Sequence, residues 1–113
     1  MIKQLFFNEK FIGNIFIAKS YFSRLRGWIA TNGGGIFQGI LIPNCRSIHT
    51  FFMRYPIDVI YLNSQLKILK IVKALQPYRL SWGPVESLDT LELLANQADV
   101  FGLKNGDSLG WED

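Results

Sequence analysis

The sequence holds very little of the two residues that most often build metal sites and redox centres. Cys45 is the only cysteine and His49 the only histidine among 113 residues. A lone cysteine excludes an intrachain disulfide, which is typical of a protein kept in a reducing compartment. A zinc site needs three or four ligands, so Asp58 or Glu92 would have to complete one. We therefore expect a cytoplasmic protein with no metal site and no other cofactor.

Long apolar runs are also absent from the sequence. No segment approaches the roughly 18 apolar residues that a membrane-spanning helix requires. The apolar residues 5–7 are followed at once by Asn8, Glu9 and Lys10, which leaves no room for the apolar centre of a signal peptide. We expect no membrane partner.

Acidic residues are scarce as well. Nine Asp and Glu stand against twelve Lys and Arg, which gives a net charge of +3. A basic balance is one feature of nucleic-acid-binding proteins. Here the basic residues are spread along the chain without a run, so the balance reflects the shortage of acids. We expect no nucleic acid among the partners.

Apolar side chains, in contrast, are plentiful. Hydrophobic residues make up 49% of the chain, charged residues 19% and aromatic residues 14%, a composition typical of globular proteins. A chain of this length can bury a core without disulfides. We predict a single domain over residues 1–113, either a monomer or a weak homodimer.

Short apolar runs separated by turn residues predict mostly strands. The predicted strands comprise a hairpin around residues 8–10 and segments at 36–42, 48–53, 58–62, 66–75, 88–95 and 108–111. The irregular alternation in residues 66–75 indicates a bulge. Residues 77–87, with two prolines and a glycine, are predicted to form a long loop of the kind that often carries function.

A first helix is predicted to begin at Ser20, whose hydroxyl can accept a first-turn N–H. Tyr21, Leu25 and Trp28 then recur at helical spacing and form an apolar stripe. Arg24 is placed on another face of this helix, and the glycines at 33–35 end it.

A second short helix is predicted to begin at Asn96 as its cap and to end at Gly102. Strands follow one another without regular helical crossovers, which favours antiparallel pairing. The predicted fold class is α+β, mainly antiparallel β: a small barrel or sandwich of about seven strands with one or two short helices packed on it.

Residues 43–58 hold the only cysteine, the only histidine, two arginines and Asp58. His49 titrates near physiological pH, so in a cleft it can act as a general base or a ligand; alternatively it is half-buried and its ring donates a hydrogen bond to a backbone carbonyl.

Cys45 needs a neighbouring base or cation to become a nucleophile; otherwise it is a small buried apolar residue. Phe51 and Phe52 are interpreted as core packing.

Asp58 lies inside an apolar strand, where an isolated charge is very costly. We expect it to pair with Arg46 or Arg54, or to accept hydrogen bonds from backbone N–H groups; the functional alternative is a site carboxylate with a shifted pKa. In the long predicted loop, Arg79 and Trp82 can line a ligand groove, or Trp82 can cover the core.

Residues 48–62, which read IHTFFMRYPIDVIYL, resemble the signature of the bacterial and archaeal domain-of-unknown-function 192 family, also known as uncharacterised protein family 0127. Three further segments resemble the family in the same order: residues 25–28, 91–93 and 102–107. The resemblance implies a compact, mainly β domain with a short helix, and it implies no established activity.

The function is therefore open to three ranked hypotheses. The first is a binding module for a small ligand or a peptide, which needs a pocket with a few polar groups. The second is a protein–protein interaction domain with an exposed apolar patch or sheet edge. The third, against which we lean, is a small hydrolase or transferase with His49 as base and Asp58 or Glu92 as its partner; no catalytic residue is assigned. The candidate ligand-binding residues are His49, Arg54, Asp58, Arg79, Trp82, Cys45 and Glu92.

Overall fold

The structure is a computed structural model, and it describes residues 1–20, 23–24, 28 and 37–112. Within these residues the chain forms nine strands and a short α-helix, and three residues of an earlier helix are also described. In chain order the elements are β1 (Ile2–Phe7), β2 (Lys10–Ile17), β3 (Gly39–Ile42), β4 (Ser47–His49), β5 (Ile57–Leu62), β6 (Ile68–Leu75), β7 (Leu80–Trp82), β8 (Asp89–Leu94), α1 (Gln97–Val100) and β9 (Gly110–Glu112).

Seven of the strands form one large sheet in the order β6-β5-β8-β3-β2-β1-β9. Neighbouring strands are antiparallel except for β2 and β3, which are parallel. The prediction of a mainly antiparallel sheet is confirmed. In the part of the chain that the structure describes, this sheet is not closed into a barrel, although its edge strands β6 and β9 approach each other at a bridge between Lys67 and Ser108.

The strands β4 and β7 form a separate antiparallel sheet, called the small sheet. It covers one face of the large sheet. Ile48 of β4 packs in a buried cluster with Ile40 and Val59 of the large sheet. The hydroxyl of Tyr61 on β5 donates a hydrogen bond to Ser81 Oγ on β7 at 2.7 Å. Of the two predicted forms, the barrel is not seen in the described residues, whereas the small sheet layered on the large sheet corresponds to the sandwich.

Two predicted boundaries at the small sheet are wrong. The strand predicted at 48–53 ends at His49, because residues 50–53 form a turn in which the Met53 N–H bonds to the Thr50 carbonyl and Phe52 has a left-handed φ of 69°. The loop predicted at 77–87 contains β7. A strand of three residues between two prolines is too short for its alternation to stand out in the sequence.

Side chains of the large sheet point alternately into two buried clusters. On β5, Ile60 and Leu62 belong to the cluster on one face. Val59 and Tyr61 belong to the cluster beneath the small sheet. Both faces are covered, so all six residues of β5 are buried. The face beneath the small sheet is called the covered face, and the other is called the opposite face.

The two predicted helix starts have different outcomes. Ser20 caps a helix as predicted, because its Oγ accepts a hydrogen bond from the Ser23 N–H at 3.1 Å. Ser23, Arg24 and Trp28 are helical. The predictions for Tyr21, Leu25 and the glycines at 33–35 lie outside the described residues.

Asn96 precedes α1 but makes no side-chain cap, and it has a left-handed φ of 76°. Gly102 has a φ of 69° and ends the segment as predicted. Among the described residues, no helix is long and apolar enough to span a membrane.

Candidate functional site

A buried carboxylate on β8 lies at the centre of the covered face. Glu92 is in register with Ile40 on β3 and with Val59 on β5, and both neighbours belong to the cluster beneath the small sheet. Residues directly opposite each other on adjacent strands share a face, so Glu92 points into the same cluster. It is completely buried. A carboxylate in such a place requires partners.

Arg24 and Trp28 supply these partners. Arg24 Nε donates to Glu92 Oε1 at 2.8 Å and to Oε2 at 2.9 Å, and the Trp28 indole N–H donates to Oε1 at 2.8 Å. Arg24 Nη2 also lies 2.8 Å from Oε2. The angles at Nη2 do not meet those of a hydrogen bond, so the contact between Nη2 and Oε2 is electrostatic. These three residues are called the Glu92 cluster.

The spacing of Arg24 and Trp28 explains how both reach one carboxylate. They are four residues apart on a helix, which places them on the same face. The prediction that Arg24 lies on a different face from Trp28 is wrong, and Arg24 was not among the predicted site residues. Two signals could have found it: a carboxylate in the apolar strand around residue 92 requires a cation, and Arg24 lies one turn before Trp28 of the apolar stripe.

His49 lies in the electrostatic neighbourhood of the Glu92 cluster. Burial lowers the pKa of His49, the Arg24 guanidinium lowers it further, and the Glu92 carboxylate opposes both. The net shift is downward, so the imidazole is neutral at pH 7. Its Nδ1 accepts a hydrogen bond from the Phe51 N–H at 3.3 Å, which favours the neutral tautomer with the proton on Nε2.

The outer side of the small sheet carries a group of apolar side chains around His49. Leu80 lies opposite His49 in the ladder, and Trp82 follows on the same side of β7. The His49 ring stacks on Phe51 with 4.8 Å between centroids, and Phe51 stacks on Tyr78 at 6.2 Å. This group is called the aromatic surface, and its members are His49, Phe51, Phe52, Tyr78, Leu80 and Trp82.

Four members of the aromatic surface are more than half exposed to solvent. The exposed fraction is 65% for Phe52, 61% for Trp82, 60% for Tyr78 and 55% for Leu80. Scattered exposed apolar residues are ordinary, but contiguous ones mark binding surfaces. The sequence identified His49 and Trp82 and missed the others, because an apolar run such as Phe51-Phe52 is more typical of a core.

Asp58, another predicted site residue, lies on the opposite face and does not join His49. Its Oδ1 accepts a hydrogen bond from the Ala74 N–H and its Oδ2 accepts one from the Ala98 N–H, both at 2.9 Å. Ala74 lies in β6 with a left-handed φ of 50°, and Ala98 lies in α1. Of the partners considered from the sequence, backbone N–H groups are the ones that bind Asp58. Its role is to attach a distorted part of β6 and the start of α1 to β5.

Cys45 lies near the covered face. Its thiol contacts the Ser47 carbonyl oxygen at 3.0 Å. Burial raises the pKa of the Tyr61 hydroxyl, the hydrogen bond with Ser81 opposes this, and the nearby Cys45 and Glu92 raise it further. Cys45 and Glu92 therefore share a neighbourhood with Tyr61.

Arg54 and Arg79, the remaining candidates, are exposed. Arg79 directly precedes β7, and its carbonyl oxygen accepts a hydrogen bond from the Thr50 N–H at 2.9 Å. Within the described residues, no group of three His, Cys, Asp or Glu side chains is placed to hold a metal ion.

A separate cleft of 410 Å³ lies between the β1–β2 turn and β9. Phe6, Glu9, Trp111 and Glu112 contribute to its lining. None of the residues that the sequence identified as candidates lies there.

Comparison with known families places the chain in one of them. The model of the family DUF192, described as "Uncharacterized ACR", matches residues 8–111. The chain belongs to this family, as the resemblance implied. A UPF0127 protein of Thermococcus sibiricus is 29% identical over 104 residues, which cover 88% of this chain and 67% of that protein. These descriptions assign no activity.

Two solved structures share the fold. One is a protein of unknown function from Novosphingobium aromaticivorans, with a TM-score of 0.74 and 17% identity over 98% of this chain and 84% of that one. The other is a proposed transcription regulator of Sinorhizobium meliloti, with a TM-score of 0.76 and 18% identity over 97% of this chain and 92% of that one. At such identities the likeness establishes the fold alone.

Proposed function

We propose that this protein is a binding module for a small ligand or a peptide, with the aromatic surface as its docking site. The observation that supports this most is the contiguous group of exposed apolar side chains, which includes Tyr78, Leu80 and Trp82. Covering such side chains removes apolar area from water, which favours binding. His49, held by its ring contact with Phe51, adds a polar group that can orient what binds.

The geometry gives less support to an enzyme that pairs His49 with a carboxylate. Asp58 lies on the opposite face with both oxygens bound to backbone N–H groups. Both oxygens of Glu92 accept hydrogen bonds within its cluster, so Glu92 would have to leave a buried ion pair to act as a base. A cytoplasmic location and the lack of nucleic-acid and membrane partners stay predictions from the sequence.

A thermal-shift screen tests the proposed function. The panel contains divalent metals, nucleotides, sugars, carboxylic acids and short peptides. A ligand at about 100 times its Kd adds roughly 2.7 kcal/mol to the free energy of unfolding, which a small domain shows clearly in its Tm. We expect at least one compound to shift the wild type, and the shift to be lost in Trp82→Ala and Leu80→Ala.

Val100→Ala is the matched control for these variants. Val100 is 69% exposed and lies on α1. The substitution therefore removes exposed apolar area at a place distant from the aromatic surface. The control should keep the shift. A shift that survives in both surface variants, or a panel in which no compound shifts the wild type, would contradict the proposal.

A further inference from the structure

We propose that the aromatic surface binds a peptide segment in which acidic residues accompany apolar ones, an inference that rests on the proposed function and deepens it. Residues 44–85, which contain all of β4 to β7, carry six Lys or Arg and a single acid, Asp58. Asp58 is completely buried and lies on the opposite face. The segment that builds the aromatic surface therefore presents positive charge to solvent and no negative charge of its own.

Four of these cations flank the segments that build the aromatic surface. Arg46 and Arg79 lie at the two ends of the small sheet, where their carbonyl oxygens accept N–H groups from the partner strand. Lys70 lies beside β7, and its Nζ donates to the Trp82 carbonyl at 2.9 Å. Arg54 follows the turn that carries Phe52. All four basic side chains are exposed, so they can attract acidic groups of a partner that covers the apolar centre.

The packing of the rings favours apolar side chains over nucleobases. Proteins that bind single-stranded nucleic acid stack bases on open aromatic faces. Here Phe51 is stacked with His49 at an interplanar angle of 27° and with Tyr78 at 30°, and Phe52 meets Tyr78 edge-on. Rings that contact each other in this way have fewer open faces. The area that remains suits aliphatic and aromatic side chains.

The backbone of β7 favours an extended peptide. In the ladder between β4 and β7, Gly83 N–H bonds to the Arg46 carbonyl and Thr50 N–H bonds to the Arg79 carbonyl. Hydrogen-bonded pairs alternate with non-bonded pairs in an antiparallel ladder, so Leu80 points its N–H and C=O away from β4. A peptide strand laid along β7 can bond to the two Leu80 groups, next to the Trp82 carbonyl that Lys70 occupies, and place alternate side chains on the aromatic surface.

A peptide array tests this inference with the full chain. Three sets of octapeptides share the same apolar residues and differ only in whether the intervening positions are acidic, basic or neutral; an eight-nucleotide oligo(dT) is included. We expect the acidic set to bind best, and its binding to weaken as salt screens the exposed charges. Reversing two cations in Arg54→Glu/Arg79→Glu should weaken binding of the acidic set by about tenfold.

The control is Lys10→Glu/Lys104→Glu, which changes the net charge by the same amount. These lysines are exposed and lie on the β1–β2 hairpin and on the loop before β9, so wild-type binding should persist. An equal loss in this control would overturn the inference, because bulk charge would then explain the preference.

Other outcomes separate the inference from the proposed function. Equal binding of the three peptide sets would overturn the acidic preference and leave the binding module in place. Stronger binding of oligo(dT) than of the acidic peptides would replace a peptide with nucleic acid. Binding of no peptide would also overturn the inference, and the small ligands of the thermal-shift screen would then decide the proposed function alone.

Discussion

At the scale of single residues, Arg24 and Glu92 form a buried ion pair whose side chains are 4% and 0% exposed. Removing two charges from water is costly, and their attraction offsets that cost only when hydrogen bonds are well placed. Trp28 adds such a bond to the carboxylate. The pair therefore adds little net stability compared with apolar residues, but the loss of one partner leaves the other as an isolated buried charge.

Glu92→Gln tests this interpretation, because it keeps the shape of the side chain and removes its charge. We expect the free energy of unfolding to fall by about 3–5 kcal/mol, as measured by urea denaturation. Asp99→Asn is the control, since it breaks a pair with Lys73 in which the side chains are 57% and 60% exposed, and we expect no measurable change. A Glu92→Gln protein as stable as the wild type would show that the pair is not isolated from water.

His49 gives the fold a pH dependence whose sign follows from its lowered pKa. Burial is the largest cause of the shift from 6.5, and Arg24 adds to it. The His49 imidazole binds a proton more tightly in the unfolded chain than in the folded one. The free energy of unfolding therefore keeps its full value above the ordinary pKa of histidine and falls as the pH drops below that pKa. Urea denaturation at a series of pH values should show that the free energy of unfolding falls less on acidification in His49→Gln than in the wild type. Identical profiles would mean that the pKa of His49 is not lowered.

At the scale of secondary-structure elements, Asp58 joins three of them: β5, β6 and α1. In Asp58→Asn one oxygen is replaced by an NH₂ group, which cannot accept a hydrogen bond from Ala74 or Ala98. We expect the free energy of unfolding to fall by about 1–3 kcal/mol, the cost of a buried donor left without an acceptor. Ligand affinity at the aromatic surface should not change, because Asp58 lies on the opposite face. A variant that loses binding but not stability would contradict this assignment.

Gly83 determines how closely the end of β7 approaches the large sheet. A Cβ atom at this position would overlap the ring of Tyr61, whereas a Cβ at Gly110 on β9 would meet nothing within 4 Å. Gly83→Ala should therefore displace the small sheet and reduce stability by about 1–3 kcal/mol. Gly110→Ala is the control and should leave stability nearly unchanged. Equal Tm values for the two variants would show that the small sheet does not pack closely on Tyr61.

The elements themselves were largely predictable from the sequence. The β1–β2 hairpin, the bulged β6 and the helix cap at Ser20 follow from local patterns, because turn residues and apolar periodicity act over a few positions. The small sheet was not predictable in the same way. It depends on the pairing of β4 with β7. These two segments have three residues each and are far apart in the chain, so neither has a clear local sequence pattern.

The candidate site shows the same limit. His49 and Trp82 stood out as rare residue types, whereas the partnership of Arg24 with Glu92 is a contact between residues 68 positions apart. Asp58 drew attention for a sound reason, since a buried carboxylate must be satisfied, but the sequence does not specify whether a ligand or the backbone satisfies it.

At the scale of the whole molecule, charge is distributed unevenly along the chain. The basic residues are spread along the chain, but the acidic residues are not: residues 86–112 contain six of the nine Asp and Glu residues. The segment that forms β4 to β7 is correspondingly basic, and the large sheet supports it from beneath through the cluster that contains Ile48 and Val59. This arrangement places exposed basic side chains on the segments that carry the aromatic surface.

The most direct test of this account is an NMR titration of ¹⁵N-labelled protein with a ligand from the thermal-shift screen. If the aromatic surface is the docking site, chemical-shift changes will concentrate in residues 47–52 and 78–82, and α1 will change little. Changes that concentrate instead at the cleft between the β1–β2 turn and β9 would contradict the account and move the binding site to the other edge of the sheet.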